Sequence, residues 1–415
     1  MNPDVSGRRP VWPSRRAFAL LAALLLVAAS AAGASLAYDA SGLEIRPSEY
    51  NVAAWEVRHL PGKWLFALGR LFRDGPSPAR EDETLLRFFQ LTREIDGLER
   101  QASEAAQRPD EAADAEREAL LAEKRRERDR IENQVEATIE GRLTSILERE
   151  GIERSLLFGS LVWPPVDFEF AAAPRALALS PRDRIELAGT TLLREDLSLA
   201  AVEAIEAAKQ GEGLSALAFP TGGIGAYPTI VDYTDDYRAA VEIVAHEWMH
   251  NYLFFRPLGF SYDASNDLRA MNETVADLVA RELARAVVAA WPLPAAAPPP
   301  VAAAPNVDVG AELRRLRGEV DALLAAGRVD EAEALMEQRR QELVARGASI
   351  RKLNQAYFAY ANLYAGEAGH PAATNPIGPK IDELRRRSGS LSEFVGVVGS
   401  LTSVEALDRA LAGRR

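Results

Sequence analysis

Apolar and polar positions change period several times along the chain, and each change marks a candidate element. Ala17 to Ala37 is a continuous run of small and apolar residues, behind Arg8, Arg9, Arg15 and Arg16 and ahead of Asp39 and Glu44. About twenty apolar residues cross a bilayer, and a basic flank favours the cytoplasmic side. Residues 1–16 and 17–37 therefore predict a basic flank and a membrane anchor, or a signal segment cleaved near Ala32 and Ala34 or near Ser35 and Ala37. With a retained anchor the rest of the chain is a single-pass extracytoplasmic protein; with a cleaved one it is secreted or periplasmic. Residues 38–80 mix Trp55, Trp64, Phe66 and Phe72 with prolines and predict short helices and turns near the membrane.

From residue 81 to 150 the pattern becomes Glu, Arg, Ala and Leu at helical spacing, interrupted by Pro109. It predicts two long antiparallel helices, Thr84 to Gln107 and Glu111 to Glu150. Leu120, Ile131, Val135, Ile139 and Ile146 form the expected seam of a coiled-coil hairpin. Its charge density reads as a solvated face, and the arm is a candidate surface for self-association or a protein partner.

Residues 151–290 begin with strand patterns. Val166–Phe170, Ala176–Leu179, Arg184–Leu187 and Thr190–Leu193 are expected strands, and Ser198–Lys209 a helix. Leu214–Pro220, a turn at Gly222, Gly223 and Gly225, and Tyr227–Tyr233 predict a hairpin. The Pro/Ala run of residues 291–307 predicts an extended linker. Beyond it, residues 308–415 predict helices at Ala311–Ala326, Val329–Arg346 and Ile350–Glu367, then shorter ones. The expected fold is α+β and mostly helical, with a small mixed sheet.

Composition narrows the function classes. A net charge of −12 argues against nucleic acid as the main partner. The absence of cysteine excludes disulfides, thiol catalysis and thiolate metal sites. The chain holds only four histidines, and two of them lie in His246-Glu247-Trp248-Met249-His250. On a helix, positions four apart share a face, so both imidazoles can reach one metal ion. Glu247 stands beside that face, where a carboxylate can take a proton from an activated water. Asn272-Glu273-Thr274-Val275-Ala276-Asp277 follows on what reads as the next helix, capped by Ser265 or Asn266. Two His and one Glu are an established catalytic zinc set. Glu273 and Asp277 point the same way, so one can bind the metal while the other fixes a ligand histidine.

HEWMH followed by NETVAD resembles the gluzincin metallopeptidases, over about forty residues. The resemblance implies a zincin-like catalytic domain with His246, His250 and Glu273 as ligands of one Zn2+, Glu247 as general base, and Asp277 with Asn272 in support. A metzincin would need Gly and His where the chain has Leu253 and Arg256. The resemblance also implies a sheet edge that pairs with the substrate backbone, for which Gly223, Ala226 and Tyr227 are the candidates. It further implies a donor to the developing oxyanion downstream of the third ligand. Tyr357 or Tyr360 is the candidate, with Tyr262 as a rival, although core tyrosines show the same pattern. The helix from Leu353 to Tyr364 and Asn375-Pro376-Ile377-Gly378-Pro379 loosely resemble bacterial aminopeptidase-like proteins. His59 and His370 stand outside any ligand spacing. The expected function is an exported, membrane-anchored zinc peptidase acting on peptides or proteins. Its rival is a membrane-tethered coiled-coil interaction protein whose zincin-like domain is structural or only binds peptide.

Overall fold

A computed structural model describes residues 46–59, 63, 77–105, 111–156, 159–294, 307–364 and 373–413. The expected membrane segment at 17–37, residues 295–306 of the 291–307 linker and His370 lie outside these residues. No helix among the described residues is long and apolar enough to cross a membrane. The fold is α+β and mostly helical, with three small sheets.

Helices α1 (Pro78–Ala105) and α2 (Glu111–Arg149) run antiparallel, joined side by side by Arg142–Asp82, Arg87–Glu127 and Lys124–Glu94 ion pairs. They are not a free-standing arm. Leu85, Phe88 and Phe89 of α1 share one core with Val135, Ile139, Leu143, Ile146 and Leu147 of α2 and with the helices of both sequence motifs. Leu120 departs from the expected seam and is 39% exposed, while its neighbour Leu121 is the buried residue at that turn. The expected boundary at residue 150 is therefore not a boundary in the hydrophobic core.

Three sheets follow. Strands β1 (Arg154–Leu156) and β2 (Gly159–Leu161) form a hairpin. Strand β3 (Phe168–Phe170) runs parallel to β8 (Thr229–Val231), whose other edge pairs antiparallel with β7 (Gly223–Ile224). Strand β4 (Arg175–Pro181) lies between β5 (Gly189–Leu193) and β6 (Leu214–Pro220), both antiparallel to it. Helix α3 (Leu199–Gly211), capped by the Ser198 hydroxyl on the Ala201 N–H, packs on β6. Two expectations fail here. Arg184–Leu187 is the connection between β4 and β5, held by Ser180, whose hydroxyl accepts from the Glu186 N–H. The hairpin expected between 214–220 and 227–233 does not form, since β6 pairs with β4 and β8 with β3. Periodicity marks a strand without naming its partner.

Helix α4 (Tyr237–Phe254) carries HEWMH, and α5 (Asn266–Ala290) carries NETVAD. Asp236 caps α4 at the Ala239 N–H, and Ser265 caps α5 at the Leu268 N–H. Val241, Val244, Ala245, Trp248 and Met249 bury one face of α4, and Met271, Val275, Leu278 and Val279 line α5. Between them the chain reverses through a one-turn helix (Pro257–Phe260) and a 3-10 turn (Tyr262–Ala264). Gly259 permits the return, since a Cβ there would lie 2.1 Å from the Leu253 carbonyl oxygen.

In the C-terminal part, α6 (Val309–Ala325) and α7 (Val329–Ala345) pack as a pair over a second core. Helix α8 (Gln355–Ala361) is far shorter than the expected Ile350–Glu367. Asn354 caps it at the Tyr357 N–H and also donates to the Ala216 carbonyl of β6, which holds the preceding residues out of the helix. Buried Glu206 of α3 binds Arg351 and Lys352, fixing the same junction. Helices α9 (Ile377–Arg387), α10 (Leu391–Val398) and α11 (Val404–Ala412) return to the first core through Ile381, Leu384, Phe394 and Leu407.

Candidate metal centre

Three acceptor atoms from α4 and α5 converge on one point. His246 Nε2 and His250 Nε2 are 3.0 Å apart, and each is 3.4 Å from Glu273 Oε2. A tetrahedral ion with bonds of about 2.0–2.1 Å holds its ligands about 3.3 Å apart, so these edges match one face of such a shell. Among the described residues this is the group of three whose ligand atoms come within reach of one ion.

The far side of each ring explains why the Nε2 atoms face inward. His246 Nδ1 lies 2.9 Å from Asp277 Oδ1, and His250 Nδ1 lies 2.7 Å from the Asn272 amide oxygen. A carboxylate only accepts, so the Nδ1 of His246 carries the proton and its Nε2 a lone pair; the amide oxygen does the same for His250. The structure thus brings together His246, His250, Asn272, Glu273 and Asp277, five of the six residues that the two motifs nominated.

Electrostatics at this corner favour positive charge. Burial alone would lower the pKa of His246 and His250, but Asp277 and Glu273 at the first ring, and Glu273 at the second, raise both. Burial would raise the Glu273 carboxyl, yet the two imidazoles hold it well below the usual carboxylate range. Burial raises Glu247, with His246 and His250 opposing. A carboxylate shifted toward neutrality is better matched to taking and returning a proton near pH 7.

Strand β7 lies against the same helix. A Cβ on Gly223 would stand 2.9 Å from Glu247 Cγ and 3.1 Å from its Oε1. One on Gly225 would stand 3.2 Å from His250 Cβ. A Cβ on Gly223 would also stand 2.6 Å from the Ile230 carbonyl oxygen, so glycine is what lets this backbone lie between its partner strand and Glu247. Asn251, which no motif singled out, ties the turn after β7 to α4 by donating to the Ala226 carbonyl and Thr229 hydroxyl. Ala226 and Tyr227 are buried, 3% and 1% exposed, Ala226 beside Trp55 and Tyr227 with its N–H on Glu56. Of Gly223, Ala226 and Tyr227, Gly223 is the one that lies against the Glu247 side chain.

The tyrosines separate by environment. Tyr357 packs on Phe219 and Phe358, and burial alone pushes its hydroxyl up to about 12. Tyr360 stacks on Phe219 at 4.2 Å, and its hydroxyl is 3.2 Å from that of Tyr364. Burial pushes Tyr360 up to about 12 as well, but the charges of Glu273 and Glu247 also act on it, and Glu273 acts on Tyr364. Tyr262 donates its single proton to Glu273 Oε1 at 2.6 Å, so that proton is committed. His59 donates from Nδ1 to the Trp55 carbonyl and faces Glu169, in the packing of helical residues 52–59. No protein-family model, no curated protein and no solved structure matches this chain.

Proposed function

We propose that the protein is a zinc-dependent peptidase, exported by its 17–37 segment and membrane-anchored where that segment is retained. One observation carries the reading: three lone-pair donors converge at tetrahedral spacing beside a buried glutamate and a glycine strand. His246, His250 and Glu273 would hold the ion, with Asp277 and Asn272 fixing the rings. When bound, zinc supplies Lewis acidity, which makes water nucleophilic near neutral pH and stabilises charge on a carbonyl oxygen.

The chain's own groups do the rest. An extended substrate lies along β7, where the missing side chains of Gly223 and Gly225 let a scissile carbonyl approach Glu247. Glu247 takes the proton of the attacking water and delivers it to the leaving nitrogen. Of the two hydroxyl protons in the Tyr360–Tyr364 pair, one bridges the pair and the other is free to meet the developing oxyanion. Phe219 holds the Tyr360 ring in place by stacking. A purely structural ion would have no use for Glu247.

The test is a metal determination combined with digestion of a peptide library by the full chain. We expect about one zinc per chain, as for a single three-ligand site. Glu247→Gln should keep the metal and abolish cleavage. In the same assay Tyr360→Phe should lower kcat about 10²–10³-fold, the usual cost of one oxyanion donor, while Tyr357→Phe should leave it unchanged. A metal-free protein, or a fully active Glu247→Gln variant, eliminates the reading.

A further inference from the structure

Tyr262 is used by neither motif, yet it touches the metal corner more closely than any other group outside them. Its hydroxyl donates to Glu273 Oε1 at 2.6 Å, while Glu273 Oε2 is the oxygen 3.4 Å from both imidazoles. The two oxygens of one carboxylate are thus assigned to different partners. A hydroxyl bond to a charged acceptor at this length is of the strong class.

The ring has little freedom to release that bond. It stands edge-on to the His250 ring, with centroids 6.2 Å apart and planes at 85°. The Arg269 guanidinium lies 5.8 Å from the Tyr262 centroid and is paired with Asp263 at 2.7 Å. The 3-10 turn that carries Tyr262 is fixed in turn by the Gly259 reversal and by the Ser265 cap of α5. Rings, turn and helix start together over-determine the position of the hydroxyl.

We propose that Tyr262 is a positioning residue that keeps Glu273 a one-oxygen donor, which rests on the zinc peptidase reading above. A carboxylate left to itself can offer both oxygens to one cation. With Oε1 held by Tyr262, the chain contributes three donor atoms and leaves the fourth direction to water and substrate. The same hydrogen bond withdraws charge from Glu273, so the ligand set neutralises less of the ion's positive charge.

The experiment uses the full chain, wild type and Tyr262→Phe, loaded separately with zinc and with cobalt(II). Zinc affinity is read by competition with a chromophoric chelator, and coordination number by the visible absorption of the cobalt protein. Wild type should give the intense spectrum of a four-coordinate site. Tyr262→Phe should give the weaker spectrum of a five-coordinate site as Oε1 joins the shell, with zinc bound about 10–100-fold less tightly. An unchanged cobalt spectrum in Tyr262→Phe overturns the assignment whatever the affinity does, because a merely structural tyrosine would not alter coordination number. Should the variant fail to fold, X-ray absorption at the zinc edge of wild type decides: five near ligands overturn the clamp, four with a single carboxylate oxygen support it. A wild type that binds neither metal removes both this inference and the peptidase reading; a wild type that binds zinc with Glu273 bidentate removes only this one.

Discussion

Two clusters of buried acids lie in this molecule, and they are built in opposite ways. In the first, Lys63 stands at the centre: its ammonium donates to Glu136 at 2.7 Å and Glu140 at 3.2 Å, and Asp167 is 3.8 Å away. The Phe168 carbonyl takes a further bond from it. Burial would lower the Lys63 pKa, but the three carboxylates hold it protonated. Glu136 and Glu140 also accept from the N–H groups of Phe170 and Phe168, so α2 covers the outer edge of β3. In the second cluster, at His246, His250 and Glu273, two ring nitrogens and a carboxylate oxygen face one another, and among the described residues no Lys or Arg is paired with them. The comparison teaches a physical difference: one cluster brings its own cation from the chain, and the other gathers ligand-type atoms around a common point.

Three substitutions would break or sharpen this comparison. The largest effect is expected from Lys63→Met, which leaves Glu136 facing Glu140 without their counter-charge. Breaking one partner of a buried ion pair costs roughly 3–5 kcal/mol, to be read from urea unfolding. Zinc affinity of the folded protein should not change, and a variant that lost zinc while keeping its stability would erase the distinction between the clusters.

Asp277→Ala acts on the other cluster. It frees the His246 ring from its 2.9 Å partner and should weaken zinc about 10–100-fold by calorimetric titration, with a small change in stability. Equal zinc affinity in the variant would mean that the ring is oriented by packing alone.

The third test concerns pH. Burial pushes the Glu132 carboxyl up to about 8, with Glu136 adding to the shift and the Tyr233 hydroxyl opposing it. The folded chain therefore holds a proton that the unfolded chain, with an ordinary carboxyl near about 4.3, gives up. Stability is full below the unfolded value and is lost as pH rises through the folded one. Glu132→Gln should flatten that alkaline loss, measured as urea midpoints at acidic and alkaline pH; parallel profiles for the two proteins would refute it.

The elements that the sequence reveals best are those whose cause is local. A helix repeats every 3.6 residues, so HEWMH and NETVAD display their shared faces without any partner, and Asp236 and Ser265 cap where short polar side chains are expected. The long helices of α1 and α2 are legible for the same reason. The strands are legible as strands, but β6 and β8 were expected to pair with each other, and their partners are β4 and β3. Tyr357 and Tyr360 look alike in sequence; only the stacking on Phe219 and the reach toward Tyr364 distinguish them.

What the chain determines by itself is the set of polar groups: two imidazoles four positions apart, a glutamate with an Asn and an Asp near it on the following helix, and Glu247 between the histidines. What only tertiary structure decides is how those donors meet. The Gly259 reversal lays α5 against α4, Gly223 and Gly225 admit the β7 backbone to Glu247 and His250, and Tyr262 claims one oxygen of Glu273. The division has a physical reason. Identity and helical spacing are properties of neighbouring residues, whereas distances of 3.0–3.4 Å between atoms of separate helices are set by the packing of the whole core.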